Sequence, residues 1–77
     1  MEIQGFIENF ADQFDDTDVL ELKPETVFKE LEEWSSLIAL SVIAMADEEY
    51  EVELKGDDIR NSNTIQDLFE VVKNKQV

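Results

Sequence analysis

Towards both ends of this chain apolar residues recur at intervals of three and four, and that spacing points to a fold of packed helices. Ile3, Phe6, Ile7, Phe10 and Phe14 fall on one helical stripe, with Glu2, Glu8, Asn9, Asp12 and Gln13 off it. The spacing predicts a first helix over residues 2–14. Near the other end, Ile65, Leu68, Phe69 and Val72 repeat the pattern behind a capping residue, Asn63 or Thr64. Asp67 in the first turn and Lys73 and Lys75 in the last match the helix dipole at both ends. Gly56-Asp57-Asp58 opens a short helical turn near Ile59, and Glu51 to Leu54 reads as an extended connector too short for a sheet. The expectation is an all-α domain covering residues 1–77. It is a small four-helix bundle of three principal helices and one short one, with a long first loop.

That loop begins where Asp15, Asp16, Thr17 and Asp18 break the first stripe. Val19, Leu20 and Leu22 are expected to tack onto the core. Pro24 suits the first position of a brief helical turn running through Phe28 and Leu31. A connection of about 20 residues in so small a domain points to function or to local structure of its own.

The second helix, expected from Ser35 or Ser36 to Tyr50, follows another rule. Either serine hydroxyl can cap its free N–H groups. Ala39, Val42, Ile43, Ala46 and Tyr50 form its core side, yet the opposite side holds Leu37, Ile38, Ala44 and Met45 beside Ser41 and Glu48. A helix apolar nearly all round is either buried on two sides or keeps a face for a partner. Three other helices do not easily enclose it. Met45, with its flexible thioether among Asp47, Glu48 and Glu49, suits an adaptable binding surface. The plainer alternative is that the long connection folds over this face.

Composition narrows the chemistry. The 77 residues carry 20 acidic and 6 basic side chains, a net charge of −14, with no cysteine and no histidine. Disulfides, the common zinc sites and a Ser-His-Asp arrangement are therefore excluded. Nucleic acid is disfavoured, because binding it needs Lys and Arg to displace counterions. Leu37 to Ala46 is too short to span a bilayer. The opening MEIQGFIENF lacks the basic region of a secretory signal, and a cysteine-free chain fits a reducing cytoplasm. Abundant surface carboxylates carry no positional information for acid–base catalysis, so no enzyme is expected. A calcium loop started at Asp16 puts Leu20, Glu21 and Val27 where a ligand, a glycine and a glutamate are required, and fails. Two glycines cannot make a phosphate loop. What remains is a hydroxyl at a helix start, in Glu32-Glu33-Trp34-Ser35-Ser36-Leu37.

Here the chain resembles the acyl carrier proteins, small acidic bundles whose signature is Asp-Ser-Leu at the start of the second helix. Ser35-Ser36-Leu37 stands at the matching place, and Asp47-Glu48-Glu49-Tyr50 looks like the acidic end of that helix. Asp57-Asp58-Ile59 and Asn63-Thr64-Ile65-Gln66-Asp67-Leu68 are similar to the family's third-helix region and fourth-helix opening. Phe28 and Leu31 resemble its lead-in. The similarity covers nearly the whole chain. It implies that Ser36 is the attachment point for 4′-phosphopantetheine, donated from coenzyme A by a phosphopantetheinyl transferase, and that acyl groups ride as thioesters on the arm's thiol. A bland assignment of Ser36 as a mere helix cap stands beside it. The resemblance further implies docking onto acyl-transfer and synthase enzymes with basic patches, through Glu33, Ser35, Leu37, Ile38, Ser41, Met45, Asp47 and Glu48. Glu32 and Glu49 lie nearby. Shelter for an acyl chain is expected among Ala39, Ala44 and Ala46 with Val42, Ile43, Ile59 and Leu68. Ser35 in place of the usual Asp, and Glu33 or Trp34 in place of the usual Gly, point to a specialised carrier. The expected state is a bacterial-type, cytoplasmic monomer serving fatty-acid, lipid or polyketide-type synthesis. A peptidyl or aminoacyl carrier shares the motif. An unmodified acidic interaction module of the same fold is the alternative from a different class.

Overall fold

The computed structural model describes residues 2–76. Among these residues four α-helices make up the fold: α1 (Ile3–Ala11), α2 (Ser36–Tyr50), α3 (Gly56–Arg60) and α4 (Ile65–Lys75). Short 3-10 turns at Val19–Glu21 and Phe28–Glu30 punctuate the connection between α1 and α2. No strand forms among the described residues, apart from an isolated antiparallel bridge between Val27 and Thr64. α1 lies against both α4 and α2, and α3 packs on α4. The architecture is the small all-α bundle that the spacing predicted.

α1 carries its stripe inward as Phe6, Ile7, Phe10 and Ala11, but it stops three residues short of Phe14. Past Ala11 the bonds tighten: Gln13 N–H donates to the Phe10 carbonyl at 3.1 Å and Phe14 N–H to that of Ala11 at 3.0 Å. Asp12, Asp15 and Asp16 crowd a helix end whose dipole favours cations, and α1 has no basic residue there to offset them. Phe14 nonetheless stays buried.

The long connection departs further from expectation. Leu22 joins the core and Val19 packs against it, but Leu20 stands 83% exposed on its turn. Pro24 does not open a helical turn through Phe28. It lies in a tight turn closed by Thr26 N–H on the Lys23 carbonyl, and the 3-10 turn starts four residues later. The Pro24 and Thr26 carbonyls instead accept from Gln66 N–H (2.8 Å) and Ile65 N–H (3.1 Å), two donors that the start of α4 leaves free. The loop is thus part of the cap of the last helix.

α2 spans the residues expected of it, but its buried arc is rotated. Val42, Met45 and Ala46 are buried, while Ile38, Ala39, Ile43 and Tyr50 pack at the margin. Met45, expected on the partner face, is a core residue at 4% exposure. The physical reason is that α2 is enclosed by connecting segments as well as by the other helices. Val52 and Leu54 of the connector, and Leu22 and Phe28 of the long loop, belong to the same buried cluster.

Candidate functional site

The start of α2 is built from the sequence Glu33-Trp34-Ser35-Ser36, and each residue has a separate task. Trp34 anchors the segment. Its indole meets Phe28 edge-on at 4.9 Å, lies nearly parallel to Phe10 at 6.4 Å and contacts Phe14 at 6.4 Å. Such aromatic pairs add stabilisation beyond the area they bury. Trp34 N–H also donates to the Leu31 carbonyl at 3.0 Å.

Ser35 is the N-cap. Its backbone is extended, its Oγ accepts from Ile38 N–H at 3.2 Å, and its carbonyl accepts from Ala39 N–H at 2.9 Å. Of the two serines, this is the one the helix uses. Ser36 is the first residue of α2, exposed, and relieved of capping by its neighbour. The assignment of Ser36 as the cap therefore falls away.

Glu33 was expected to face partners. Instead its carboxylate turns back onto the first loop, accepting from Asp15 N–H at 3.1 Å, from Asp16 N–H at 3.0 Å and from the Thr17 hydroxyl at 2.6 Å. The Thr17 hydroxyl, reinforced by the Asp16 and Asp15 amides, holds the carboxyl below the usual glutamate range, against a smaller opposing push from partial desolvation.

Beyond Ser36 the outer face of α2 stays apolar. Leu37 is 74% exposed and Leu40 is 62% exposed, with Ala44 exposed beside them and Ser41 half-buried. Asp47 and Glu48 continue this face in water, whereas Ile38 packs partly inward. An open groove of about 500 Å³ runs along the helix, lined by Leu40, Ile43, Ala44, Asp47 and Glu53. At about 100° per residue, Ser36, Leu40, Ile43 and Asp47 lie along nearly one line, and Leu40 is about 6 Å down the axis from Ser36.

The groove shares Ile43 and Ala44 with the expected shelter. The other expected residues differ: Val42, Ala46, Ile59 and Leu68 are buried in the core, and Ala39 packs against it. Sequence reasoning missed Leu40 and Glu53. Leu40 carried a usable signal, since it follows Ser36 by four and Leu37 by three; Glu53 looked like any connector acid. Among the described residues, no group of three or more His, Cys, Asp or Glu side chains is arranged to hold a metal ion. No helix among them is long and apolar enough to cross a membrane. Comparison of the chain with protein-family models, curated proteins and solved structures finds no match.

Proposed function

We propose that this chain is a carrier of the acyl carrier protein type, which accepts a 4′-phosphopantetheine arm on Ser36 and presents the attached acyl group to other enzymes. One observation carries the proposal. Ser36 offers an exposed hydroxyl at the first turn of a 15-residue helix, and the adjacent Ser35 has taken over the capping that would otherwise occupy it. In loading, the Ser36 oxygen bonds to the pantetheine-side phosphorus of coenzyme A. The pyrophosphate linkage breaks, the adenosine bisphosphate portion leaves, and the serine proton passes to the transferase. The arm then supplies a thiol for thioester chemistry, which the chain itself lacks, having no cysteine.

The remaining residues fit a handle better than a catalyst. The groove one turn below Ser36 has an apolar floor of Leu40, Ile43 and Ala44, able to lie against an arm or its cargo. Leu37 and Leu40, followed by Asp47 and Glu48, give the exposed face apolar contact near the serine and negative charge further along. Such a face suits acyl-transfer and synthase enzymes with basic patches, because charge attraction speeds encounter without requiring tight binding. Glu33 and Met45 are withdrawn from that docking set, since both are engaged within the fold. A cytoplasmic place in fatty-acid, lipid or polyketide-type synthesis belongs to the same proposal.

The test is intact mass after incubation with coenzyme A and a phosphopantetheinyl transferase. The expected result is a single added arm that Ser36→Ala abolishes and Ser35→Ala does not. An unchanged mass, or an arm that survives Ser36→Ala, overturns the proposal.

A further inference from the structure

The segment that presents Ser36 is held at two points of different chemistry. One is the Trp34 indole, fixed among Phe10, Phe14 and Phe28. The other is Glu33, which gathers two backbone amides and one hydroxyl of residues 15–17 onto a single carboxylate. The second point is electrostatically costly. Asp12, Asp15, Asp16 and Asp18 already crowd that loop, and a fifth acid drawn among them meets like charge. It stays because three donors, one of them a hydroxyl at 2.6 Å, converge on it. An acid kept for docking would face outward, as Asp47 and Glu48 do.

We propose that Glu33 is a positioning residue: with Thr17 it latches the first loop to the serine segment and so fixes the direction in which Ser36 is presented. The consequence for arm transfer rests on the carrier proposal above; the latch itself does not. With the latch open, residues 32–36 pivot on Trp34 alone, and the first turn of α2 loses the fixed approach of its cap. An enzyme acting on Ser36 then meets the same docking face but a less ordered nucleophile, a loss of preorganisation felt in turnover and not in docking.

Two variants separate this from charge. Glu33→Gln removes the charge and weakens the latch, whereas Thr17→Val removes the closest donor and leaves every charge in place. Amide hydrogen exchange gives a readout independent of any arm. Glu33→Gln is expected to speed exchange at Asp15 and Asp16 by about tenfold, the scale of one charge-assisted hydrogen bond, and Thr17→Val by about threefold. Ile38 and Ala39, whose N–H groups rest on Ser35, should follow in the same order, while exchange in α4 stays as in the wild type. In transfer assays with coenzyme A and a phosphopantetheinyl transferase, both variants should lower kcat and leave KM and its salt dependence unchanged. Unaltered exchange at Ile38 and Ala39 in both variants overturns the latch. So does a salt-dependent rise in KM for Glu33→Gln with Thr17→Val inert, because Glu33 is then a docking acid. If the wild-type chain takes up no arm while exchange responds as described, the carrier proposal fails and the latch stands.

Discussion

α4 and α2 each bury an apolar stripe, but they differ in what surrounds it. In α4 the four stripe residues Ile65, Leu68, Phe69 and Val72 are all buried. Its N-terminus is closed reciprocally: Thr64 Oγ1 accepts from Asp67 N–H, and the Asp67 carboxylate accepts from Thr64 and Asn63 N–H. Its last turn carries Lys73 and Lys75, as the dipole favours. In α2 the cap is a single serine hydroxyl, two leucines face water, and the last turns carry Asp47, Glu48 and Glu49 with no basic residue. α4 follows the rules of a helix that serves only the fold. α2 departs from them at its C-terminal end and along its outer face, which carries Ser36 and the groove below it.

The comparison is most exposed to failure at its leucines. Leu68 on α4 is fully buried and Leu40 on α2 is 62% exposed, so one substitution can be made on both helices. Leu68→Ala should cost about 2–5 kcal/mol, enough to leave a domain of this size marginally folded. Leu40→Ala should fall within about 0.5 kcal/mol of wild type, as surface changes do. Urea denaturation of the two variants decides it. A comparable loss for Leu40→Ala would make the outer face of α2 structural and remove the contrast.

A smaller effect distinguishes the helix starts by titration. The Asn63 amide, then that of Thr64, holds Asp67 below the usual aspartate range. Glu33, held low chiefly by the Thr17 hydroxyl, does the corresponding work beside α2, but from outside the helix. For a carboxyl whose folded pKa is depressed, the stabilisation is fully present above its unfolded pKa and is lost as pH falls through the folded one. Both carboxylates therefore support the fold at neutral pH, and both release their donors only below the ordinary carboxylate range. Relief of self-repulsion among 14 net negative charges acts in the opposite direction. A global melting curve thus mixes the two effects, whereas residue-resolved NMR titration separates them. The Asn63 and Thr64 amides should report the low Asp67 transition, and the Asp15 and Asp16 amides that of Glu33. Ser35 has no proton that titrates in this range, so a transition at Ile38 that coincides with that of the Asp15 and Asp16 amides is the expected mark of Glu33 acting through the latch.

Much of this was legible in the sequence because helical spacing is a local signal. The stripes of α1 and α4, a cap at Asn63 or Thr64 with Asp67 in the first turn, the short α3 and the span of α2 all follow from neighbours within four residues. The failures are long-range. Met45 is buried, not on the partner face, because Val52 and Leu54 of the connector and Leu22 and Phe28 of the long loop share its cluster; only the loop's part in this is open to the sequence, as the plainer alternative of a connection folded over α2. Glu33 looks like a docking acid in the sequence because its partners lie 16–18 residues away, and nothing in a run of acids shows which one turns inward. Pro24 misled for a related reason: what matters there is a backbone carbonyl serving α4, which no side chain encodes. For the site, the chain order of Ser35 and Ser36 did not reveal which serine would cap.

The smallest predicted effect tests whether the far end of α2 is held against stability. Glu51 terminates the helix with φ 55° and ψ 39°, and its N–H bonds the Asp47 carbonyl at 3.0 Å, an end that favours glycine. A side chain in this left-handed conformation costs about 1–2 kcal/mol, partly offset by the greater freedom glycine has when unfolded. Glu51→Gly should therefore stabilise the chain by about 0.5–1 kcal/mol. Part of that gain comes from removing a negative charge beside the negative end of the helix dipole. Glu51→Gln isolates the charge share and should recover a few tenths of a kcal/mol, more at low salt than at high. If Glu51→Gln stabilises, the acids Asp47, Glu48 and Glu49 stand in a field that opposes them, unlike Lys73 and Lys75 on α4. Their retention then calls for a use outside the fold, which the proposed docking to basic partners would supply. If neither variant gains stability in urea melts, the end of α2 is as settled as that of α4, and the contrast narrows to the two leucines and the serine.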